Sequence, residues 1–349
     1  MRSSYLEKDV VLLLKDITGA VEPQSTKERE KLIQAGKHYS EMLPIEYVPT
    51  DRYMEAYQEA LEIFAASNAD AIGCLAEKVI GKRGKGVVLV SLARAGIPIG
   101  ILLKRYIRYR YQIDVPHYSV SIIRGKGIDG NAMKYLLARF RPEQLLFVDG
   151  WIGKGAILNE LRKDMEEYQG VSSEIAVAAD PANVTKLCGT HEDILIPSSC
   201  LNCTVSGLIS RTFLRNDIIG KEDFHGAAYY EELESSDLSY DFIHAIESHF
   251  TKEPKERKAV RSGTGMEEVR KIAKVFGISD INFIKPGIGE ATRVLLRRVP
   301  WKILINEVYM DSRELRHLRR LAEEKNVPVE AYPLKHYKCC GIIKKIADA

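Results

Sequence analysis

With 349 residues, 45% of them hydrophobic and 28% charged, the chain has an ordinary globular composition with room for two or three packed domains. No apolar run approaches the roughly 20 residues of a membrane span, the opening Met-Arg-Ser-Ser-Tyr-Leu-Glu does not read as a secretory signal, and six scattered cysteines do not form a disulfide framework, so a cytoplasmic protein without a membrane partner is expected. The net charge of +3 hides a split, because residues 1–250 carry 29 Lys and Arg against 35 Asp and Glu while residues 251–349 carry 22 against 13, which leaves the C-terminal part as the one suited to a polyanion.

In chain order, residues 5–14 end in an apolar run, Thr26–Ala35 reads as a polar helix, and His38–Pro44 as a lid or packing strap ahead of an extended stretch, 45–49. Residues 51–80 read as two helices. Val87–Gly100 is a buried strand breaking into a loop with Arg94, Ala95 and Gly96, followed by a helix over 101–108. His117–Arg124 alternates as a strand does and runs into a glycine-rich loop carrying Lys126 and Asp129, which is either an active-site cover or a plain surface loop. Leu145–Val148 is a strand buried on both faces that delivers Asp149 at its C-terminal edge. Gly150, Trp151, Gly153, Lys154 and Gly155 follow at once, and a helix begins near Ala156. Residues 174–179 and 194–197 read as further strands, the second leading into a small-residue stretch that includes Ser210 and Arg211.

Strands alternating with helices predict a doubly wound parallel α/β domain whose site lies at the C-terminal strand edges. Arg94, Arg124 and Asp149 all follow such strands. Glycine turns, helix starts and cations there suit a phosphorylated sugar, with Asp149 for hydroxyls or a metal. A thiol chemistry can also be written, pairing Cys200 or Cys203 with His225. Residues 251–265 read as a linker between a domain over 1–250 and a smaller α/β unit over 266–349. The latter carries a helix over 266–276, a strand over 282–284, a glycine-rich helix start, a strand over 303–305, a charged helix over 313–324 and a strand over 327–331. In this unit Gly287, Gly289, Glu290, Thr292, Arg293 and Arg297 form a helix start with arginines on successive turns, suited to an RNA backbone.

Val87–Gly100 and Leu145–Ile157 resemble the pyrophosphate and phosphoribosyl-pyrophosphate loops of type I phosphoribosyltransferases. That resemblance implies a transferase fold and Mg²⁺. It gives catalytic roles to Asp149, Arg94, Lys154 and Arg124, and substrate contacts to Ala95, Gly96, Gly150, Trp151, Gly153, Gly155, Lys126, Asp129, Ser210 and Arg211. His38–Pro44, Ser121–Asp129, Val148–Ile157, Cys200–Thr212 and Phe224–Ala227 more closely resemble the StiP family of bacterial tellurium-resistance and stress-response neighbourhoods. That family is described both as a cysteine protease and as a phosphoribosyltransferase-like enzyme making a nucleoside-like metabolite. Gly287–Arg293 and Arg313–Val329 resemble the pelota-type RNA-binding domain related to kink-turn-binding proteins. The resemblances together imply transfer or processing of ribose 5-phosphate from phosphoribosyl pyrophosphate or a related sugar phosphate, coupled to RNA binding. They also imply partner enzymes of the same operon and a homodimer. The alternatives are a StiP-type cysteine protease and a nucleotide- or RNA-sensing module without turnover.

Overall fold

The computed structural model describes residues 1–256 and 262–344, so Arg257, Lys258 and Arg261 of the expected linker lie outside the described residues. Buried aliphatic runs set up the main sheet. Near the N-terminus are β1 (Val11–Leu12), β2 (Lys15–Asp16), α1 (Thr26–Gln34) and α2 (Asp51–Arg83). There follow β3 (Val88–Ala93), α3 (Gly96–Tyr111), β4 (His117–Ile123), β5 (Gly127–Ile128) and α4 (Gly130–Leu137). The central β6 (Leu145–Trp151) leads through α5 (Ala156–Met165) to β7 (Ile175–Ala179) and β8 (Cys188–Thr190). β9 (Gly226–Ala227) and α6 (Ser239–Glu247) close this part.

The sheet order is β1-β4-β3-β6-β7-β8, all parallel, with β5 folding back antiparallel on β4; β2 and β9 form a separate parallel pair. Parallel strands with helical crossovers are covered on both faces, which is why β3, β6 and β7 are almost wholly buried. Helix α3 begins at Gly96 because a Cβ there would stand 2.4 Å from the Val148 carbonyl, so only glycine lets the helix start touch β6.

Three expectations differ from the structure. Residues 51–83 form one helix rather than two, since its mid-helix Ser67 and Asn68 donate to the Phe64 carbonyl and Asn68 also reaches the Leu195 carbonyl. Residues 194–197 join no strand. The edge position belongs to β8, a three-residue Cys-Gly-Thr segment with none of the β-branched alternation that advertises a strand, held in register by Val177 opposite Cys188.

The smaller unit holds α7 (Gly265–Val275), β10 (Ile284–Pro286), α8 (Ile288–Arg297), β11 (Pro300–Ile305), α9 (Arg316–Glu324), β12 (Val329–Ala331) and β13 (Cys339–Ile343). Its sheet order is β10-β13-β11-β12, so β13, absent from the sequence reading, is an interior strand. The architecture is thus α/β, a mostly parallel sheet with a smaller second unit. Val269, Ile284, Leu304 and Ile342 form a core of that unit, whereas Ile288, Leu295, Leu318 and Leu321 pack into the same apolar cluster as Phe64, Ile72 and Leu195. No described helix is long and apolar enough to cross a membrane.

Candidate functional site

At the sheet edge, the chain leaves β7 at Asp180, whose backbone N–H donates to the Thr190 carbonyl at 2.8 Å. Its carboxylate Oδ2 accepts the N–H groups of Val184 (2.7 Å) and Thr185 (2.8 Å), turning the segment back into β8. Cys188 opens β8 and His191 follows its last residue. The ring spans the gap between them: Nδ1 lies 3.0 Å from the Asp180 carbonyl, and Nε2 lies 3.3 Å from Cys188 Sγ. A carbonyl can only accept, so Nδ1 carries the proton and Nε2 presents its lone pair to the thiol. Asp180 Oδ2 stands 3.6 Å from Nδ1, and among the described residues the buried Oδ1 has no hydrogen-bond partner.

Cys188 is fully buried and the His191 side chain is 27% exposed, so the pair meets solvent from the imidazole side. Burial pushes the Cys188 thiol up to about 12, aided by the nearby Asp180 charge, and burial also raises the Asp180 carboxyl. At rest the thiol is therefore protonated and hydrogen-bonded to the imidazole. Ligand atoms of Asp180, Cys188 and His191 lie within 4.8 Å of one another, so the trio could also hold a divalent cation; among the described residues no other group of three or more candidate ligands occurs, and Asp149 belongs to none.

A second concentration of charge lies where the two units meet. Arg94 is tied to Glu46 (3.1 Å) and to the Ile209 carbonyl (3.0 Å). On α8, Arg297 donates to the Leu201 carbonyl (2.6 Å) and Arg293 pairs with Glu290 (3.0 Å). Lys154 donates to the carbonyls of Ile281 and Ile284, and the Gly153 carbonyl accepts the Tyr337 hydroxyl, so the glycine turn after β6 is stapled to the smaller unit.

Nearby, burial pushes the Asp149 carboxyl up to about 7 against the opposing Gly150 N–H at 2.7 Å. An unfolded aspartate titrates near 3.9, so between about pH 4 and 7 the folded chain holds a proton that the unfolded chain has lost, and stability falls as pH rises through that window. Asp149→Asn is expected to melt higher than wild type at pH 8, by up to about 4 kcal/mol in stability. The two should converge near pH 4. Parallel thermal melts at both pH values check this, and equal melting at pH 8 would contradict it.

Residues 3–247 match the family model described as tellurite-like stress resistance cysteine protease StiP, and residues 263–345 match the PELOTA RNA binding domain. A cysteine protease StiP of Acinetobacter baylyi is 34% identical over 365 positions, covering 98% of this chain and 94% of that protein. The chain belongs to the StiP family.

Both StiP descriptions name a cysteine protease, which corrects the expected phosphoribosyl transfer and, with it, the transferase assignment of the enzyme. The residues assigned by that resemblance do cluster at the strand edges. Asp149, Gly150 and Trp151 end β6, Ala95 and Gly96 start α3, and Gly155 precedes α5. The glycine-rich loop read either as a cover or as a plain surface loop forms the tight β4–β5 turn. Asp129 is buried there, capping α4 through the N–H groups of Asn131 and Ala132 and accepting the His225 N–H at 2.6 Å; Arg124 and Lys126 are exposed. Ser210 Oγ accepts the Ala228 N–H and donates to the Arg211 carbonyl.

For a StiP thiol, Cys200 and Cys203 are both fully buried, and burial pushes each up to about 12. His225 directs Nδ1 to the Ser121 hydroxyl at 2.8 Å, and no hydrogen bond among the described residues joins it to either cysteine. The pair that does meet, Cys188 and His191, was missed because His191 reads from sequence as a surface or helix residue rather than a ligand. The available signal was the Cys-x-x-His spacing behind Asp180-Pro181 at the end of a strand. The RNA-suited helix start faces inward: Gly287 rests on Asp193, Gly289 on Ser199, and Thr292 bonds His317 at 2.9 Å.

Proposed function

We propose that the chain is a thiol-dependent peptidase in which Cys188 is the nucleophile, His191 the base and Asp180 the group that orients the imidazole, and that its smaller unit binds RNA. The observation that carries the peptidase reading is the 3.3 Å contact between Cys188 Sγ and an imidazole nitrogen whose opposite nitrogen is anchored at 3.0 Å. In the reaction, Nε2 takes the thiol proton as sulfur attacks the peptide carbonyl carbon. The imidazolium returns that proton to the departing amine as the C–N bond breaks, and water then hydrolyses the thioester. The backbone carbonyl of Asp180 fixes the ring, while its carboxylate lies close enough to favour the imidazolium. The charge split and the RNA-binding domain match at 263–345 support the second part of the reading.

Because the thiol is closed and protonated at rest, the protein is expected to be latent, reacting slowly with iodoacetamide. A peptidyl vinyl sulfone is expected to label Cys188, with labelling lost in His191→Ala and retained in Cys200→Ser and Cys203→Ser. Peptide mapping by mass spectrometry reads the site. Labelling at Cys200 or Cys203 with Cys188 untouched, or cleavage surviving Cys188→Ser, would sink the assignment.

A further inference from the structure

We propose that the row of arginines where the two units meet binds phosphate groups along the backbone of an RNA strand, with Arg211 of the larger unit and Arg293 of the smaller one contacting the same strand. The inference rests on the RNA-binding part of the proposed function and extends it by making the larger unit half of the binding surface. Cations from both units converge there. Arg94 and Arg297 are locked to the carbonyls of Ile209 and Leu201, eight residues apart, which places their charges on either side of the segment leading to Arg211. Arg211 is exposed, and among the described residues its guanidinium has neither an ion-pair nor a hydrogen-bond partner.

The cluster continues past these groups. Arg293 acts on both Arg211 and Arg297, and also on Lys285; Lys285 in turn acts on Lys154, and Arg124 acts on both lysines. Glu46 and Glu290 are the carboxylates that offset this row. Although the Arg211 side chain keeps solvent contact, the protein packed around its guanidinium and then mutual repulsion push Arg211 and Arg297 down to about 10, as expected where like charges face one another. Such a row is relieved by a bound anion. A single phosphate would cover one or two of these groups, whereas a phosphodiester chain presents a charge at every nucleotide and can follow the row from Arg211 through Arg293 to Arg124.

The test uses full-length protein, a fluorescein-labelled twelve-nucleotide single-stranded RNA and anisotropy titrations over a range of KCl. Wild type is expected to bind, Arg211→Gln and Arg293→Gln each to weaken binding at least fivefold, and each to flatten the dependence of log affinity on log salt by about one. Lys271→Gln, on the exposed side of α7, should bind as wild type does. Thermal melts confirm that each variant is folded. Wild-type affinity and salt slope in Arg211→Gln would overturn the shared surface while leaving RNA binding by the smaller unit intact. If wild type ignores RNA but pyrophosphate changes Trp151 fluorescence in an Arg211-dependent way, the strand is overturned as occupant and the source is a small phosphate anion. Response to neither ligand overturns both readings.

Discussion

Replacing His191 with alanine is expected to lower kcat/KM for peptide cleavage by about 10²–10⁴-fold, the usual span for loss of a general base. The thiol of Cys188 cannot ionise unaided at neutral pH, since burial holds it near 12. Among the described residues its proton has one nitrogen acceptor in reach, Nε2 at 3.3 Å. Without the ring, sulfur must attack as a neutral thiol. Asp180→Asn is expected to fall less far, because the backbone carbonyl that anchors Nδ1 remains. Combining His191→Ala with Cys188→Ser should be hardly worse than either alone, since the two act as a unit. The alanine variant should fold normally, as the ring is partly exposed at a sheet edge. A base role further requires that the alanine variant lose the acidic limb of the pH–rate profile and regain part of its activity with added imidazole. A variant that keeps wild-type kcat/KM and pH profile would exclude His191 from the chemistry.

Asp193→Ala is expected to separate the two units. This carboxylate is buried to 2% and lies under Gly287, at the start of α8. One oxygen accepts the Ile288 N–H at 3.0 Å and the other the Lys338 N–H at 2.8 Å. One side chain of the larger unit thus satisfies backbone donors from two distant points of the smaller one. Truncation leaves both donors buried without an acceptor, at about 1–3 kcal/mol each. Calorimetry should then show two transitions in place of one, and limited proteolysis should cut faster between the units. Asp193→Asn, which keeps an acceptor oxygen, should fall between. A single unshifted transition in the alanine variant would show that docking does not depend on this contact. Undocking also uncovers the inward-facing helix start at Gly287 and Gly289, so the same variant reports whether RNA affinity depends on the joined arginine row.

Much of the fold was legible because buried parallel strands announce themselves. Val87–Val90 and Leu145–Val148 are unbroken apolar runs, and each ends in a turn and a helix, as found in β3–α3 and β6–α5. Cys188–Thr190 and Cys339–Ile343 were not legible, because a short Cys-Gly-Thr edge and a Cys-Cys-Gly start carry no alternation. The candidate catalytic pair was hidden for a related reason: its members touch only because the Asp180 carboxylate folds 180–185 back on β7, a tertiary event that the Cys-x-x-His spacing by itself does not announce. The cation row was half legible. Its glycine turns and arginines stood out singly, but which of them face one another depends on how α8 seats on residues 193–201.

The long helix α2 has a consequence for how the chain is made. Its first turns carry Glu55, Glu59 and Glu62, which pair with Arg320, Arg316 and Arg313, while Arg52 pairs with Glu324. These partners leave the ribosome roughly 15–50 s later at ordinary elongation rates. Until then the acidic face of the helix's N-terminal half has no cationic partner, and its three carboxylates keep that waiting face hydrated and poorly suited to chance association. Its C-terminal half can already pack on the growing sheet. The smaller unit, emerging after α2, then finds an acidic rail already in place, so its synthesis is the event that brings the two units together.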